Sequence, residues 1–123
     1  PLVALVRDGN DAQKQSAAGA LQNLARFFKV AIAKAGGIPP LVALVRDGND
    51  AQKQSAAAAL LTLAANADNR IPIAKAGGIP PLVALVRDGN DAQKQSAACA
   101  LAWLAGCADN KVAIAKAKKA AGI

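Results

Sequence analysis

Two cysteines, eight aspartates and fifteen lysines and arginines are the side chains of this 123-residue chain that could carry chemistry, and no histidine accompanies them. The absence of histidine removes the commonest general base and transition-metal ligand. Cys99 and Cys107 lie eight positions apart, a rise of roughly 12 Å along one helix. A disulfide needs Cα atoms within about 7 Å, which argues against an internal bridge. Either thiol could serve as a nucleophile with Trp103 as a substrate platform, yet the sequence has neither histidine nor glutamate to activate it. Burial as small substitutes for alanine is the expectation for both cysteines. A lysine amine desolvated in a pocket could form a Schiff base, but the lysines recur at polar positions. The recurring Asp8-Gly9-Asn10-Asp11 is a helix stop followed by a helix start, and it lacks the twelve-residue spacing and terminal glutamate of a calcium loop. These residues point to no enzyme, no metal site and no cofactor.

The elements that would position any such group are legible. The block PLVALVRDGNDAQKQSAA begins at Pro1, Pro40 and Pro81 without a difference among the three copies. Periods of about 40 residues mean a helical solenoid, in which each unit buries its face by stacking on its neighbours. Natural repeats drift apart, so eighteen identical residues in three copies point to an engineered chain. Within a unit, Gly77, Ile79, Pro80 and Pro81 show one helix stopped by glycine and the next opened by proline. Residues Pro81 to Arg87 make a short apolar helix ended by Asp88 and Gly89. Asn90 starts a longer one, with Gln93 placed to complete a capping box. That helix carries Ala97, Leu101 and Leu104 as a buried stripe. After a break around Ala108 to Asn110, a third short helix runs through Val112, Ile114 and Ala117. The expected fold is all-α, a single repeat domain over 1–123 with units of about 1–39, 40–80 and 81–123.

This three-helix unit resembles the armadillo repeat, with GGIPPLVALV as second helix and NDAQKQSAAxALxxLA as third. The resemblance covers essentially the whole chain. It implies a right-handed α-solenoid of about three repeats, and a binding protein whose stacked third helices form a concave groove for an extended peptide. In the family a tryptophan ladder and an asparagine ladder grip the peptide. By alignment these fall at Gln22, Leu61 and Ala102, and near Arg26, Ala65 and Gly106, so none of the six positions keeps the family residue.

Nearly all differences between the copies gather on one side of the third helix. The first copy carries Gly19, Gln22, Asn23 and Arg26; the second Ala58, Leu61, Thr62 and Ala65; the third Cys99, Ala102, Trp103 and Gly106. Offsets of three, four and seven place each set on one stripe. Beside it Ala20, Leu21 and Leu24 recur as Ala59, Leu60 and Leu63, and as Ala100, Leu101 and Leu104, and are expected to be buried. A fixed core beside a variable stripe marks the stripe as the designed surface. Small residues around one tryptophan suit another helix or a small apolar ligand.

The junction after the first copy is two residues shorter than after the second, and Arg26, Phe27, Phe28, Lys29 and Val30 contain no turn residue. Two structures fit. One is a continuous helix from about Asp11 to Ala35, roughly 37 Å long, which would pull the first helix pair away and invite exchange with a second chain. The other is a tight turn with Phe27 and Phe28 filling the junction. The long helix is the reading we carry forward. Pro1 and Leu2 open directly on a core-facing helix, whereas terminal repeats normally carry polar caps. Self-association into a homodimer or small oligomer through the redesigned third-helix surface, by helix continuation or swapping at residues 26–30, is therefore the expected function, with peptide or protein binding in the concave groove as the alternative.

Composition fits this picture. Hydrophobic residues make up 54% of the chain, yet Phe27, Phe28 and Trp103 are its only aromatics. A core of alanine, leucine, valine and isoleucine suits close helix packing. No apolar run approaches the 18 or so residues of a membrane span, and no secretory pattern opens the chain. The expectation is a soluble, recombinant protein, expressed in the cytoplasm and without a targeting signal. The net charge of +7 permits acidic partners or nucleic acid. The charges recur at the same places in each unit, which favours a solvated polar face over a nucleic-acid site.

Overall fold

The computed structural model describes residues 2–123, with side chains from Val3 onward. The expectation of an uncapped apolar opening concerns Pro1 and the side chain of Leu2, which lie outside the described residues. The helices are α1 (Leu2–Asp8), α2 (Asp11–Ala25), α3 (Lys29–Lys34), α4 (Ile38–Asp47), α5 (Asp50–Ala64), α6 (Arg70–Lys75), α7 (Ile79–Asp88), α8 (Asp91–Leu104) and α9 (Ala108–Ala121), with one 3-10 turn at Ala67–Asn69. The arrangement is an α-solenoid. The long helices α2, α5 and α8 stack side by side, α1, α4 and α7 pack behind them, and α3 and α6 bridge consecutive pairs.

Local chemistry sets the helix ends. At the starts of α2, α5 and α8, the side chains of Asn10, Asn49 and Asn90 accept from the N–H groups of Gln13, Gln52 and Gln93. Each glutamine side chain in turn accepts from the asparagine's own N–H at 2.9 Å, so two orphan donors are satisfied reciprocally. Prolines sit in the first turns of α4 and α7, where a missing N–H costs nothing. Gly36 and Gly77, with φ of 79° and 81°, stop α3 and α6 in the left-handed region that favours glycine. In the third copy Lys118 stands where Gly36 and Gly77 stand. The expected short helix is therefore not short. It runs on through Lys118 and Lys119, whose charges complement its C-terminal dipole, until Gly122 at φ 79° ends it.

The junction at residues 26–28 corrects the expectation of one helix from Asp11 to Ala35. Helix α2 ends at Ala25, and the N–H groups of Phe27 and Phe28 both donate to the Leu24 carbonyl, at 3.0 and 2.9 Å. Phe28, at φ −125° and ψ 38°, turns the chain into α3. Tertiary packing supplies what the sequence lacks there. Ile32 is buried at 6% exposure, and α3 lies against α5 and the turn at Ala67–Asn69; a straight helix would carry Ile32 into solvent. The exchange of equivalent parts that such a helix would have driven falls with it. The phenylalanines do not fill the junction either, because Phe27 is 72% and Phe28 52% exposed.

The core is built from alanine, leucine, valine and isoleucine. Ala56, Ala57, Ala59 and Ala64 on α5 are completely buried, which lets the long helices approach closely. Polar rungs tie the units together. Gln52 donates through Nε2 to the Asp11 carbonyl, and Gln93 to the Asp50 carbonyl, both at 2.9 Å. Asn69 donates to the carbonyls of Leu63 at 3.0 Å and Lys29 at 3.4 Å, and Asn110 to that of Arg70 at 3.2 Å. Among the described residues no buried side-chain polar atom lacks a partner.

Candidate interaction surfaces

The variable positions fall on the free side of the stacked long helices. Asn23, Arg26, Cys99, Ala102, Trp103 and Gly106 are exposed, while Gly19, Gln22, Ala58, Leu61, Thr62 and Ala65 are half-buried. The middle set is the more covered because α5 is flanked by both α2 and α8. Two of its members have no free function to offer. The Thr62 hydroxyl donates back to the Ala58 carbonyl at 3.1 Å, and Leu61 packs against the core. On α8 the two edges of the stripe diverge: Ala102 borders a hollow shared with Leu101, Ala105 and Ile114, whereas Trp103 leans toward α6.

Trp103 has a partner that the sequence did not reveal. The Arg70 guanidinium lies over its ring, 5.3 Å from the centroid. The same side chain donates through Nε to the Ala64 carbonyl at 3.0 Å and through a terminal nitrogen to that of Ala65 at 3.5 Å. Arg70 thus caps the free carbonyls of α5 while its charge rests on an aromatic face. Gly106 makes room for it, since a Cβ there would come within 2.9 Å of Arg70 Nη1. The one available signal was the substitution itself, arginine where the other copies have Lys29 and Lys111. Arg26 makes a looser contact over Phe27, at 6.0 Å.

The cysteines differ from expectation in burial. Both are free, but Cys99 is exposed and Cys107 half-buried, so Cys99 is no buried substitute for alanine. Helix α8 ends at Leu104, which puts Cys107 at the start of α9 rather than on the same helix. Among the described residues no group of three or more metal-ligating side chains converges, and no helix is long and apolar enough to cross a membrane. The Asp88 carboxyl is held below the usual carboxylate range, chiefly by the hydrogen bond from Arg87 Nε at 2.8 Å. It is a surface pair with no site around it.

A second surface lies between α1, α2 and α3. An open groove of about 430 Å³ is lined by apolar side chains including Val3, Leu21, Leu24, Phe28 and Ile32, with Arg7 at its rim. Leu24 is 37% exposed and Ala20 half-buried, against the expectation that both belong to the core. Their counterparts Ala59 and Leu63, and Ala100 and Leu104, are fully buried. The difference is positional: α5 and α8 each have a preceding long helix packed on them, and α2 shows that face open. Only Phe28 could have flagged the groove from sequence, because it takes the place of Asn69 and Asn110.

Residues 28–65 and 66–105 each match the armadillo/beta-catenin-like repeat profile, more than half of the chain. The chain belongs to the armadillo repeat family. The profile counts each armadillo unit from its short helix, so that α3–α5 form one and α6–α8, with the turn before them, the next. The fold agrees with solved engineered members. An engineered protein matches with a TM-score of 0.86 at 30% identity, over 94% of this chain and 49% of the other. A designed armadillo repeat protein in complex with the peptide (KR)4 matches at 0.86 and 28%, over 95% and 51%. A computationally designed armadillo repeat protein for modular peptide recognition matches at 0.87 and 26%, over 94% and 51%. The armadillo chain described here spans about half the length of these structures. No curated protein sequence matches it.

Proposed function

We propose that this armadillo chain is an engineered scaffold whose redesigned third-helix surface, with the exposed junction at Phe27 and Phe28, associates with further copies of itself. The apolar junction carries the reading: Phe27, Phe28 and Val30 stand at 46–72% exposure. Contiguous exposed apolar surface of this kind marks an association site. Hydrogen exchange measured at low and high protein concentration tests the reading. Amides from Leu21 to Ala35 should gain protection with concentration while those of α7 do not; uniform exchange at both concentrations would reject it.

A second reading has its own observation. Trp103, 46% exposed and backed by Arg70, sits on the stacked third helices, the side on which the family's peptide groove lies. With a net charge of +7, this groove would favour an acidic peptide over a basic one. Titrating an acidic peptide against Trp103 fluorescence should then give a saturable, salt-sensitive change.

A further inference from the structure

We propose that Arg70 and Trp103 form a seat for a carboxylate, and that its occupant is an acidic residue next to an apolar one in a peptide. The proposal rests on the acidic-peptide reading of the groove and names the contact within it.

Three departures from the repeat meet at this spot. Arg70 stands where the other copies have Lys29 and Lys111, Trp103 where they have Asn23 and Thr62, and Gly106 where they have Arg26 and Ala65. Arg70 opens α6, whereas Trp103 and Gly106 come from the end of α8 and the turn after it. The three fit one another. The guanidinium rests 5.3 Å from the centroid of the Trp103 ring, and Nη1 lies over Gly106, where a Cβ would come within 2.9 Å of it.

The guanidinium is held in place and still has donors to offer. It is planar and carries five N–H groups. Nε is fixed by the Ala64 carbonyl and one terminal nitrogen by that of Ala65. No described buried side-chain polar atom lacks a partner, so Nη1, which is bonded to neither carbonyl, is open to solvent. The charge has no counter-ion. Among the described residues the ion pairs are Arg7 with Asp8, Arg46 with Asp47 and Arg87 with Asp88, and Asp68, two residues before Arg70, does not pair with it. A half-buried guanidinium, oriented in advance and without an anion, is one half of an arginine–carboxylate contact. Arg70 covers Trp103 on one side only, and with 46% of that residue exposed the rest of its surface can take an apolar side chain beside the carboxylate.

The seat lies within the array and is not opened by its end. One unit earlier the same spot holds Lys29, Thr62 and Ala65, which remain partly exposed although α6, α7 and α8 stack after it. A further unit beyond α8 would likewise leave Arg70 and Trp103 within reach.

The test uses the full chain and a fluorescein-labelled nonapeptide of three Glu-Phe-Ser repeats, with binding read by fluorescence polarisation at low salt. Arg70→Lys and Trp103→Thr restore residues of the other copies, and an unchanged far-ultraviolet circular dichroism spectrum shows that both variants fold. Arg70→Lys also keeps the net charge, so general attraction to the peptide is unaltered. Saturable binding is expected, weakened about tenfold by either substitution and likewise when glutamine replaces glutamate in the peptide. Binding that survives both substitutions overturns the seat and leaves the acidic-peptide reading standing. Equal binding of the glutamine peptide, or a loss with Trp103→Thr but none with Arg70→Lys, overturns the carboxylate as the occupant. A chain that does not bind the glutamate peptide saturably overturns the seat and the acidic-peptide reading together.

Discussion

Replace Gln13, Gln52 and Gln93 by alanine one at a time, and the surrounding sequence is the same eighteen-residue block in each case. Local propensity therefore cancels, and what remains is the neighbouring unit. Each substitution removes the acceptor for the N-cap N–H, made at 2.9 Å in all three copies, a loss of about 1 kcal/mol. Gln13 is exposed, and its cost stops there. Gln52 and Gln93 are 2% exposed and also donate across the repeat boundary to Asp11 and Asp50 at 2.9 Å. The inter-unit hydrogen bond adds about 1 kcal/mol and the lost buried methylene about 0.8 kcal/mol. Gln52→Ala and Gln93→Ala should therefore cost about 3 kcal/mol, against about 1 kcal/mol for Gln13→Ala. Urea unfolding followed by circular dichroism compares the three directly, and amide exchange resolved by helix locates each loss. Equal destabilisation by all three, or the largest by Gln13→Ala, would refute the reasoning that these glutamines couple the units.

Other outcomes follow from single contacts. Gly106→Ala puts a Cβ within 2.9 Å of Arg70 Nη1, so the guanidinium must shift on the Trp103 ring, at a cost of up to about 0.5–1 kcal/mol. Tryptophan emission should shift to the red, as in Arg70→Ala, and unchanged emission in both variants would count against the stack. Lys118→Gly combined with Lys119→Gly restores the stop seen at Gly36 and Gly77 and should end α9 near Lys116, lowering helical circular dichroism; an unchanged spectrum would show that the lysines do not set the helix length. The Asp88 carboxyl should titrate below the usual carboxylate range in an NMR titration, because Arg87 holds its charged form. With a depressed folded value, its contribution is present above the unfolded pKa and is lost as pH falls through the folded one. Arg87→Ala should return that titration toward the ordinary value.

The sequence made the regular parts readable because their causes are local. Asn10 with Gln13, and Gly77 before Pro80, act within a few residues, and their caps and stops stand where they were expected. The break at Phe27 and Phe28 was not readable, because no residue there prefers a turn; it forms because Ile32 must reach the core and α3 must meet α5. The continuation of α9 through Lys118 was in principle readable, as the same position holds a left-handed glycine in the other copies. The missed contacts are all distant in sequence. Gln52 reads as a local cap, but its rung to Asp11 spans 41 residues. Arg70 reads as a surface charge until α8 brings Trp103 beneath it. Leu24 repeats without change in Leu63 and Leu104, so no pattern distinguishes the exposed copy from its buried equivalents; only its neighbours in space do.

Molar mass in solution is the direct test of whether the exposed face around Phe27 and Phe28 joins copies of this chain. Size exclusion with light scattering should be run across a hundredfold dilution, on the chain and on Phe28→Asp. The mass should climb above 12.3 kDa as concentration rises, while the Phe28→Asp chain stays at monomer mass. A mass of 12.3 kDa at every concentration would contradict self-association and would turn attention to the groove around Trp103.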